Sequence, residues 1–190
     1  MLGNSVEMLE LSLRYEDKRV FDGLSVALAH GENLLISGSN GSGKTSLLRI
    51  LAGELSPSGG QFKVDQTMYM PVSPVNPGFR RVSEYLRLTS GAITHSLAFT
   101  ENVAARLSHK SMKAMSSGEF KAAALARVLS IKRHVYLLDE PTTTLDRSVV
   151  QEFILALKEL NSRGHSIVVA TNNPDDFKEL NYVEINLETQ

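Results

Sequence analysis

Gly38-Ser39-Asn40-Gly41-Ser42-Gly43-Lys44-Thr45 is the most informative stretch of this chain, because it matches the pattern G-x-x-x-x-G-K-[ST] at every specified position. The apolar run before it, residues 33–37, predicts a short buried strand. The run after it, residues 44–51, predicts an amphipathic helix that ends at Gly53. This order of strand, turn and helix favours a phosphate-binding loop over the alternative, a glycine-rich turn without a ligand.

The residues of the loop suit a nucleoside triphosphate and its metal ion. Glycines let successive backbone N–H groups turn inward at the positive end of a helix dipole, which favours phosphate oxygens. The Lys44 ammonium would reach the β- and γ-phosphates, and the Thr45 hydroxyl would hold Mg²⁺. The candidate phosphate-binding residues are Ser39, Asn40, Gly41, Ser42, Gly43, Lys44, Thr45 and Ser46.

The composition is that of an ordinary globular protein, and we expect residues 1–190 to form a single domain. The net charge of −1 gives no general attraction to nucleic acid, so no nucleic-acid partner is expected. The chain has no cysteine, which excludes disulfides and cysteine-ligated metal centres and fits a reducing compartment. It shows no secretory signal and no apolar run near the ~20 residues of a spanning helix, so we expect it not to cross a membrane itself.

Strands alternate with helices along most of the chain, which predicts an α/β fold with a parallel core sheet and helices on both faces. Residues 8–14 and 19–28 predict an antiparallel β subdomain near the N-terminus, and residues 73–117 predict a small helical subdomain inserted in the core. Further strands are predicted at 61–64, 67–70, 134–138, 166–170 and 182–187, and further helices near 81–88, 101–107, 118–131, 147–161 and 174–180.

Two carboxylates close the apolar run that starts at Val135. Asp139 is placed to hold a metal ion and its water shell, and Glu140 is placed to polarise an attacking water. The alternative is an acidic strand end at the surface. The order of the phosphate loop and this strand along the chain favours the catalytic interpretation.

Two further stretches flank this strand. Residues 115–119, Met-Ser-Ser-Gly-Glu, open a helix and would offer a second anion-binding helix start, although an ordinary N-cap would look the same. Residues 141–146, Pro-Thr-Thr-Thr-Leu-Asp, lead from the carboxylates into the next helix.

Taken together, these motifs resemble the nucleotide-binding domain of ATP-binding cassette (ABC) proteins, over residues 8–186. The resemblance implies a P-loop NTPase fold in which residues 38–45 are Walker A and residues 136–140 are Walker B. Residues 115–119 then correspond to the signature motif, and residues 143–146 to the D-loop. Tyr15 is similar to the aromatic residue that stacks on adenine in this family, and packing on the core is the alternative.

The resemblance also implies a head-to-tail dimer that binds ATP and Mg²⁺. In it, Ser116 and the Gly118 amide would contact the γ-phosphate that is held by the partner's Walker A lysine. Hydrolysis would remove this bridge and open the dimer. One cassette per chain therefore predicts a homodimer, or a heterodimer with a similar chain.

The chain departs from the family pattern at four positions. Val72 stands where Gln is usual and cannot form a side-chain hydrogen bond, and Asn172 stands where His contacts the γ-phosphate. Ser117 and Glu119 replace Gly and Gln of the signature motif. Asn172 remains a candidate catalytic residue beside Glu140, and we expect hydrolysis to be slow or dependent on a partner.

The predicted function is the ATP-hydrolysing subunit of an ABC transporter, peripheral on the cytoplasmic face of the membrane, which drives a separate transmembrane permease chain. Transport is the majority role of the family, so this step is an analogy. Two alternatives stay open. The chain could be a soluble ABC ATPase that acts as a conformational switch in a cytosolic assembly, or a degenerate cassette of a heterodimer.

Overall fold

A computed structural model describes residues 3–16, 18–76, 78–87 and 96–188. The strands are β1 (Asn4–Tyr15), β2 (Lys18–Ala29), β3 (Leu34–Ser37), β4 (Gly59–Val64), β5 (Thr67–Met70), β6 (Val135–Asp139), β7 (Ser166–Ala170) and β8 (Val183–Asn186). The helices are α1 (Lys44–Leu51), α2 (Val82–Arg87), α3 (Ala98–Leu107), α4 (Ser117–Ser130) and α5 (Arg147–Ser162), with 3₁₀ turns at Met112–Ala114 and Pro174–Phe177.

The central sheet has five parallel strands in the order β5-β6-β7-β3-β8. Every residue of β3, β6 and β7 is buried. A parallel strand that is covered on both faces consists of an almost continuous apolar run, which is why these three segments could be predicted from the sequence.

The two faces of the sheet belong to different apolar clusters. Leu35, Leu138 and Val169 pack with helices α2 to α5 on one face. Leu34 and Leu137, one residue away in the same strands, pack with α1 and the antiparallel strands on the other face. This alternation follows from the period of two along a strand. It confirms the predicted helices on both faces.

The N-terminal subdomain is antiparallel, as predicted, but it has three strands in the order β2-β1-β4, because β4 adds to the predicted pair. Strand β1 starts at Asn4, four residues earlier than predicted, because buried Val6 pairs with both Leu28 and Val64. The early residues are mixed in polarity, so their pairing partners, rather than their own pattern, extend the strand.

Over the described part of residues 73–117, where a helical subdomain is predicted, the structure has the two short helices α2 and α3 and a 3₁₀ turn. Helix α3 begins at Ala98, three residues before the predicted start, because the Thr100 hydroxyl donates to the Leu97 carbonyl oxygen at 2.7 Å and stabilises the first turn. The predicted end of the preceding helix, at residue 88, lies outside the described residues.

The predicted helix at 174–180 is wrong in type and length. The structure has a 3₁₀ turn at Pro174–Phe177, since the N–H groups of Lys178 and Leu180 bond to carbonyls three residues back. A 3₁₀ turn is usually short, and here the chain continues into β8 soon after it.

Among the described residues, no helix is both long enough and apolar enough to cross a bilayer.

The antiparallel sheet contains a close backbone crossing that only glycine permits. Gly60 has φ of +81°, and a Cβ there would overlap with the Glu10 carbonyl oxygen. Gly53 has a similar φ of +75°, but no atom lies within 4 Å of the place its Cβ would occupy. The two glycines therefore separate the cost of the backbone angle from the cost of the overlap.

Gly53→Ala is expected to lower the free energy of unfolding by about 1 kcal/mol, the cost of the positive φ alone. Gly60→Ala is expected to cost about 3 kcal/mol or more, because the overlap with the Glu10 carbonyl adds to that angle. Urea unfolding of the two variants beside the parent chain measures both values. Equal losses would show that the crossing relaxes easily.

Candidate nucleotide-binding site

The phosphate-binding loop runs from the end of β3 into α1 and encloses the side chain of Lys44. This lysine is only 6% exposed. Its ammonium group donates to the carbonyl oxygens of Gly38 at 2.7 Å and Ser39 at 3.0 Å. A buried cation needs such partners, and here the loop itself provides them.

Asn172 joins this loop from the end of the neighbouring strand β7. Its Oδ1 accepts a hydrogen bond from Lys44 Nζ at 2.6 Å, and its Nδ2 donates to Asn40 Oδ1 at 2.6 Å. One carboxamide therefore satisfies a cation and an amide at the same time, through its separate acceptor and donor. The structure thus brings Asn172, Lys44 and Asn40 together as one network.

Asp139, at the end of β6, faces the start of α1. The Thr45 hydroxyl donates to Asp139 Oδ2 at 2.8 Å. Burial raises the pKa of Asp139, and the Thr45 hydrogen bond and the Lys121 charge act against that rise. The other carboxylate oxygen, Oδ1, is buried and has no hydrogen-bond partner among the described residues. A hydroxyl and a carboxylate with a free oxygen are the donors that Mg²⁺ prefers, so these residues fit the predicted ion.

Glu140 follows Asp139 in a strained backbone conformation. Its φ is +45°, which is costly for a residue with a side chain. Its N–H donates to the Ala170 carbonyl oxygen at 2.8 Å, and this bond to β7 holds the turn. Glu140 Oε1 lies 4.0 Å from Lys44 Nζ. The carboxylate is thereby held beside the loop lysine.

These groups line one cavity of about 790 Å³, a volume typical of ligand sites. The sequence-predicted residues that line it are Tyr15, Asn40, Gly41, Gly43, Lys44, Thr45, Ser46, Asp139, Glu140 and Asn172. Tyr15 is 46% exposed, so it is not a buried core aromatic. Ser39 lines a neighbouring cleft with Asn172, and the buried Ser42 hydroxyl has no partner among the described residues.

The cavity also has walls that the sequence analysis missed. These are Lys18, Val20, Thr142, Thr143, Asn173 and Asp176, beside the already noted Val72. Lys18 lies only three residues after Tyr15 in the sequence. This closeness to a predicted site residue could have identified it as part of the cavity. The others follow residues that were already assigned, and their side chains carry no distinct pattern.

The second predicted phosphate contact lies elsewhere, at the start of α4. The Ser116 hydroxyl accepts from the Glu119 N–H at 3.2 Å, while Glu119 Oε2 accepts from the Ser116 N–H at 3.1 Å. This capping box satisfies two free N–H groups of the helix. Within this chain, Ser116 is therefore an N-cap, and it lines a cleft with Gly118 that is separate from the Lys44 cavity.

The helix start is packed tightly against the loop that follows the carboxylates. A Cβ on Gly118 would overlap with the Thr144 carbonyl oxygen, so only glycine fits at that position. Ser117, in contrast, is exposed. Of the two small residues, the structure thus requires the glycine and leaves room for the serine side chain.

Lys110 stabilises Glu119, the acidic residue of this motif. Its ammonium forms an ion pair with Glu119, and that hydrogen bond is the main cause that lowers the pKa of Glu119. The carboxylate is therefore charged and paired. The ion pair therefore compensates the negative charge of Glu119 at a position where the family usually has a neutral glutamine.

Val72 offers the site no polar side-chain group. The side chain is 44% exposed and lines the cavity, while the carbonyl oxygen accepts from Lys121 Nζ at 2.6 Å. Sequence analysis did not single out Lys121, although a lysine beside the run Ala122–Ala124 was a visible irregularity.

A family model described as ABC transporter matches residues 21–143, well over half of the chain. This chain belongs to the ABC transporter family. The match spans the phosphate loop, the helical subdomain, the signature motif and Walker B. It confirms the resemblance on which the sequence analysis relied.

Among similar proteins is the cytochrome c biogenesis ATP-binding export protein CcmA of Rhizobium meliloti (strain 1021). It is 31% identical over an alignment 193 residues long, and that alignment covers 88% of this chain and 90% of that protein. A putative ABC transporter ATP-binding protein from Pyrococcus furiosus has a TM-score of 0.79 at 21% identity and covers 97% of this chain and 98% of its own. The cassette MJ0796, solved as a dimer in a post-hydrolysis state with ADP and Pi, has a TM-score of 0.77 at 20% identity, with 90% and 89% covered.

Family membership confirms the main predictions. The fold is the α/β P-loop fold of ABC ATPases, with an antiparallel subdomain beside the parallel sheet. The chain is an ATP-binding subunit of an ABC transporter and an ATP hydrolase.

Asn172→His is expected to raise the ATP turnover number about tenfold, because an imidazole at this position can donate to the developing phosphate charge and can also carry a positive charge itself. Steady-state phosphate release at saturating ATP measures the effect. Asn173→His is the matched control, since it places the same ring one residue further along the cavity wall. An unchanged rate for Asn172→His would mean that this position does not limit turnover.

Proposed function

We propose that two cassettes pair head to tail around ATP and drive a separate membrane-spanning chain. The observation that carries this proposal is the separation of two half-sites. The cavity at Lys44 and the cleft at Ser116 share no lining residue, although both are built from groups that suit phosphate. A partner's Walker A region would complete the cleft, and the partner is a second copy or a similar chain.

In the first half-site, the loop amides and Lys44 hold the phosphates, and Tyr15 stacks on the adenine. When ATP enters, the phosphate oxygens replace Asn172 Oδ1 as the partner of the Lys44 ammonium. Asn172 is then free to contact the γ-phosphate, with Asn40 as its support. The single domain of residues 1–190, with its helical insertion near 73–117, presents Tyr15 from the antiparallel sheet and the other groups from the edge of the central sheet.

Thr45 and Asp139 would hold the magnesium ion, because one donor oxygen of Asp139 is buried and has no hydrogen-bond partner among the described residues. Bound Mg²⁺ would neutralise charge on the phosphates during transfer. Glu140 polarises the attacking water. Its positive φ and its backbone bond to Ala170 hold the carboxylate in place before the water arrives.

In the second half-site, the Ser116 hydroxyl and the Gly118 N–H contact the γ-phosphate bound by the partner's Walker A. The N-terminus of α4 supplies a favourable dipole for this anion. Hydrolysis removes the shared phosphate, so the two chains separate. Val72 lacks a polar side chain and Asn172 lacks a titratable one, which together support slow or partner-dependent turnover.

The membrane partner belongs to an exporter, by analogy with the Rhizobium relative, an ATP-binding export protein of cytochrome c biogenesis. ATP is supplied on the cytoplasmic side, so the chain binds there as a peripheral subunit. A soluble switch in a cytosolic assembly and a slow half of a heterodimer are the outcomes that would replace this proposal.

Glu140→Gln is expected to lower turnover about a hundredfold or more, because the amide cannot polarise water, while ATP binding stays intact. Light scattering of the purified variant should show a dimer with ATP and a monomer without it. Glu54→Gln is the control, since that exposed carboxylate pairs with Arg49 away from the cavity. Undiminished hydrolysis in Glu140→Gln would remove Glu140 from the mechanism.

The tagged chain is expected to co-purify from mild-detergent extracts of native membranes with a stoichiometric protein that has several spanning helices. Mass spectrometry identifies that protein. A second cassette in the same complex would mark a heterodimer. Recovery with soluble proteins alone would contradict transport and favour the cytosolic switch.

A further inference from the structure

Lys121, on α4, is a buried cation that the mechanism above does not use. It is only 4% exposed, and its neighbours Ala122, Ala123 and Ala124 are buried as well. Of the lysines that the structure describes, only Lys44 and Lys121 are buried. Burying an ammonium group is costly, so its partners indicate what stabilises it.

The hydrogen bond of Lys121 leads to the nucleotide cavity. Nζ donates to the carbonyl oxygen of Val72 at 2.6 Å, and Val72 lines the same cavity as Lys44 and Glu140. Lys121 therefore connects helix α4 to the loop that follows β5.

The charge of Lys121 acts on the two carboxylates of Walker B. Burial lowers the pKa of Lys121, and the negative charges of Asp139 and Glu140 oppose that shift. The same interaction, seen from the other side, helps to lower the pKa of Asp139 against the effect of its burial. Its partner Val72 lines the same cavity as Asp139 and Glu140, so the ammonium is held at the wall of the site that contains both acidic residues.

We propose that Lys121 is a positioning residue for ATP hydrolysis, which holds the Val72 loop against the cavity and balances the charge of Asp139 and Glu140. This inference rests on the proposed roles of those two carboxylates. Val72 has no polar side chain, so its carbonyl is the group by which this loop can be held. A long side chain from α4 reaches it and brings a positive charge to the carboxylates at the same time.

The position of Lys121 on α4 gives the contact a second consequence. The same helix begins with Ser116 and Gly118, which face the partner's nucleotide in the proposed dimer. A movement of the Val72 loop therefore acts on the signature end of the helix through one side chain. The two half-sites of a chain are linked by Lys121 even though their linings are separate.

The test compares Lys121→Met, which removes both the donor and the charge, with Lys121→Gln, which keeps a donor without the charge. Lys132→Met is the control, because Lys132 is exposed just beyond the end of α4. Steady-state kinetics give kcat and KM for ATP. Titration of Mg²⁺ in the presence of a fluorescent ATP analogue gives the affinity for the ion, and thermal unfolding gives the stability.

For Lys121→Met, kcat should fall about tenfold or more while KM for ATP changes less than about threefold, because the fault lies in alignment rather than in binding. The affinity for Mg²⁺ should rise by a factor of about three or more, since a nearby positive charge is gone. Lys121→Gln should have a kcat between those of Lys121→Met and the parent chain. Lys132→Met should match the parent chain.

Opposite changes in kcat and in Mg²⁺ affinity would support the proposal, because a general loss of structure would weaken both. Two results would overturn it: a parental kcat in Lys121→Met, or a joint fall of kcat, Mg²⁺ affinity and melting temperature. The Glu140→Gln variant separates this inference from the proposed function. If Glu140→Gln stops hydrolysis and Lys121→Met does not, only the role of Lys121 fails.

Discussion

The nucleotide site depends on the parallel pairing of three strands, β6, β7 and β3. In this pairing Ala170 lies opposite Asp139 on one side and opposite Ile36 on the other. The carboxyl ends of the strands therefore meet at one edge, where open α/β sheets bind their ligands. The phosphate loop, the acidic pair and Asn172 follow these three ends, so residues far apart in the chain become neighbours through backbone hydrogen bonds alone.

Most of the fold could be predicted, because its signals are local. Fully covered parallel strands leave apolar runs, and α1 shows its period between a glycine-rich turn and Gly53. Two of the misses have long-range causes. Strand β1 is extended by its partners on β2 and β4. The segment that starts at Pro174 forms only a 3₁₀ turn because the chain then continues into β8, the edge strand of the central sheet. Neither constraint is visible in the pattern of the segment itself.

The site could be predicted where function imposes a motif, and it could not where only packing imposes a residue. Lys44, Thr45, Asp139 and Glu140 belong to fixed spacings, so their positions followed from the sequence. Lys110 and Lys121 are single lysines without a motif. Their importance depends on reaching Glu119 and the Val72 carbonyl, and such contacts appear only when distant elements are packed together. Ser117 stands where the family usually has glycine, and the structure shows its side chain to be exposed beside an obligatory Gly118.

The network of Lys44, Asn172 and Asn40 has a consequence for the binding of nucleotide. The loop carbonyls and Asn172 supply the Lys44 ammonium with oxygen acceptors, so this buried charge has its partners within the chain. A nucleotide must replace those hydrogen bonds when it binds, so their free energy lowers its apparent affinity. ATP, with its third phosphate, offers more oxygen acceptors to replace those bonds than ADP does.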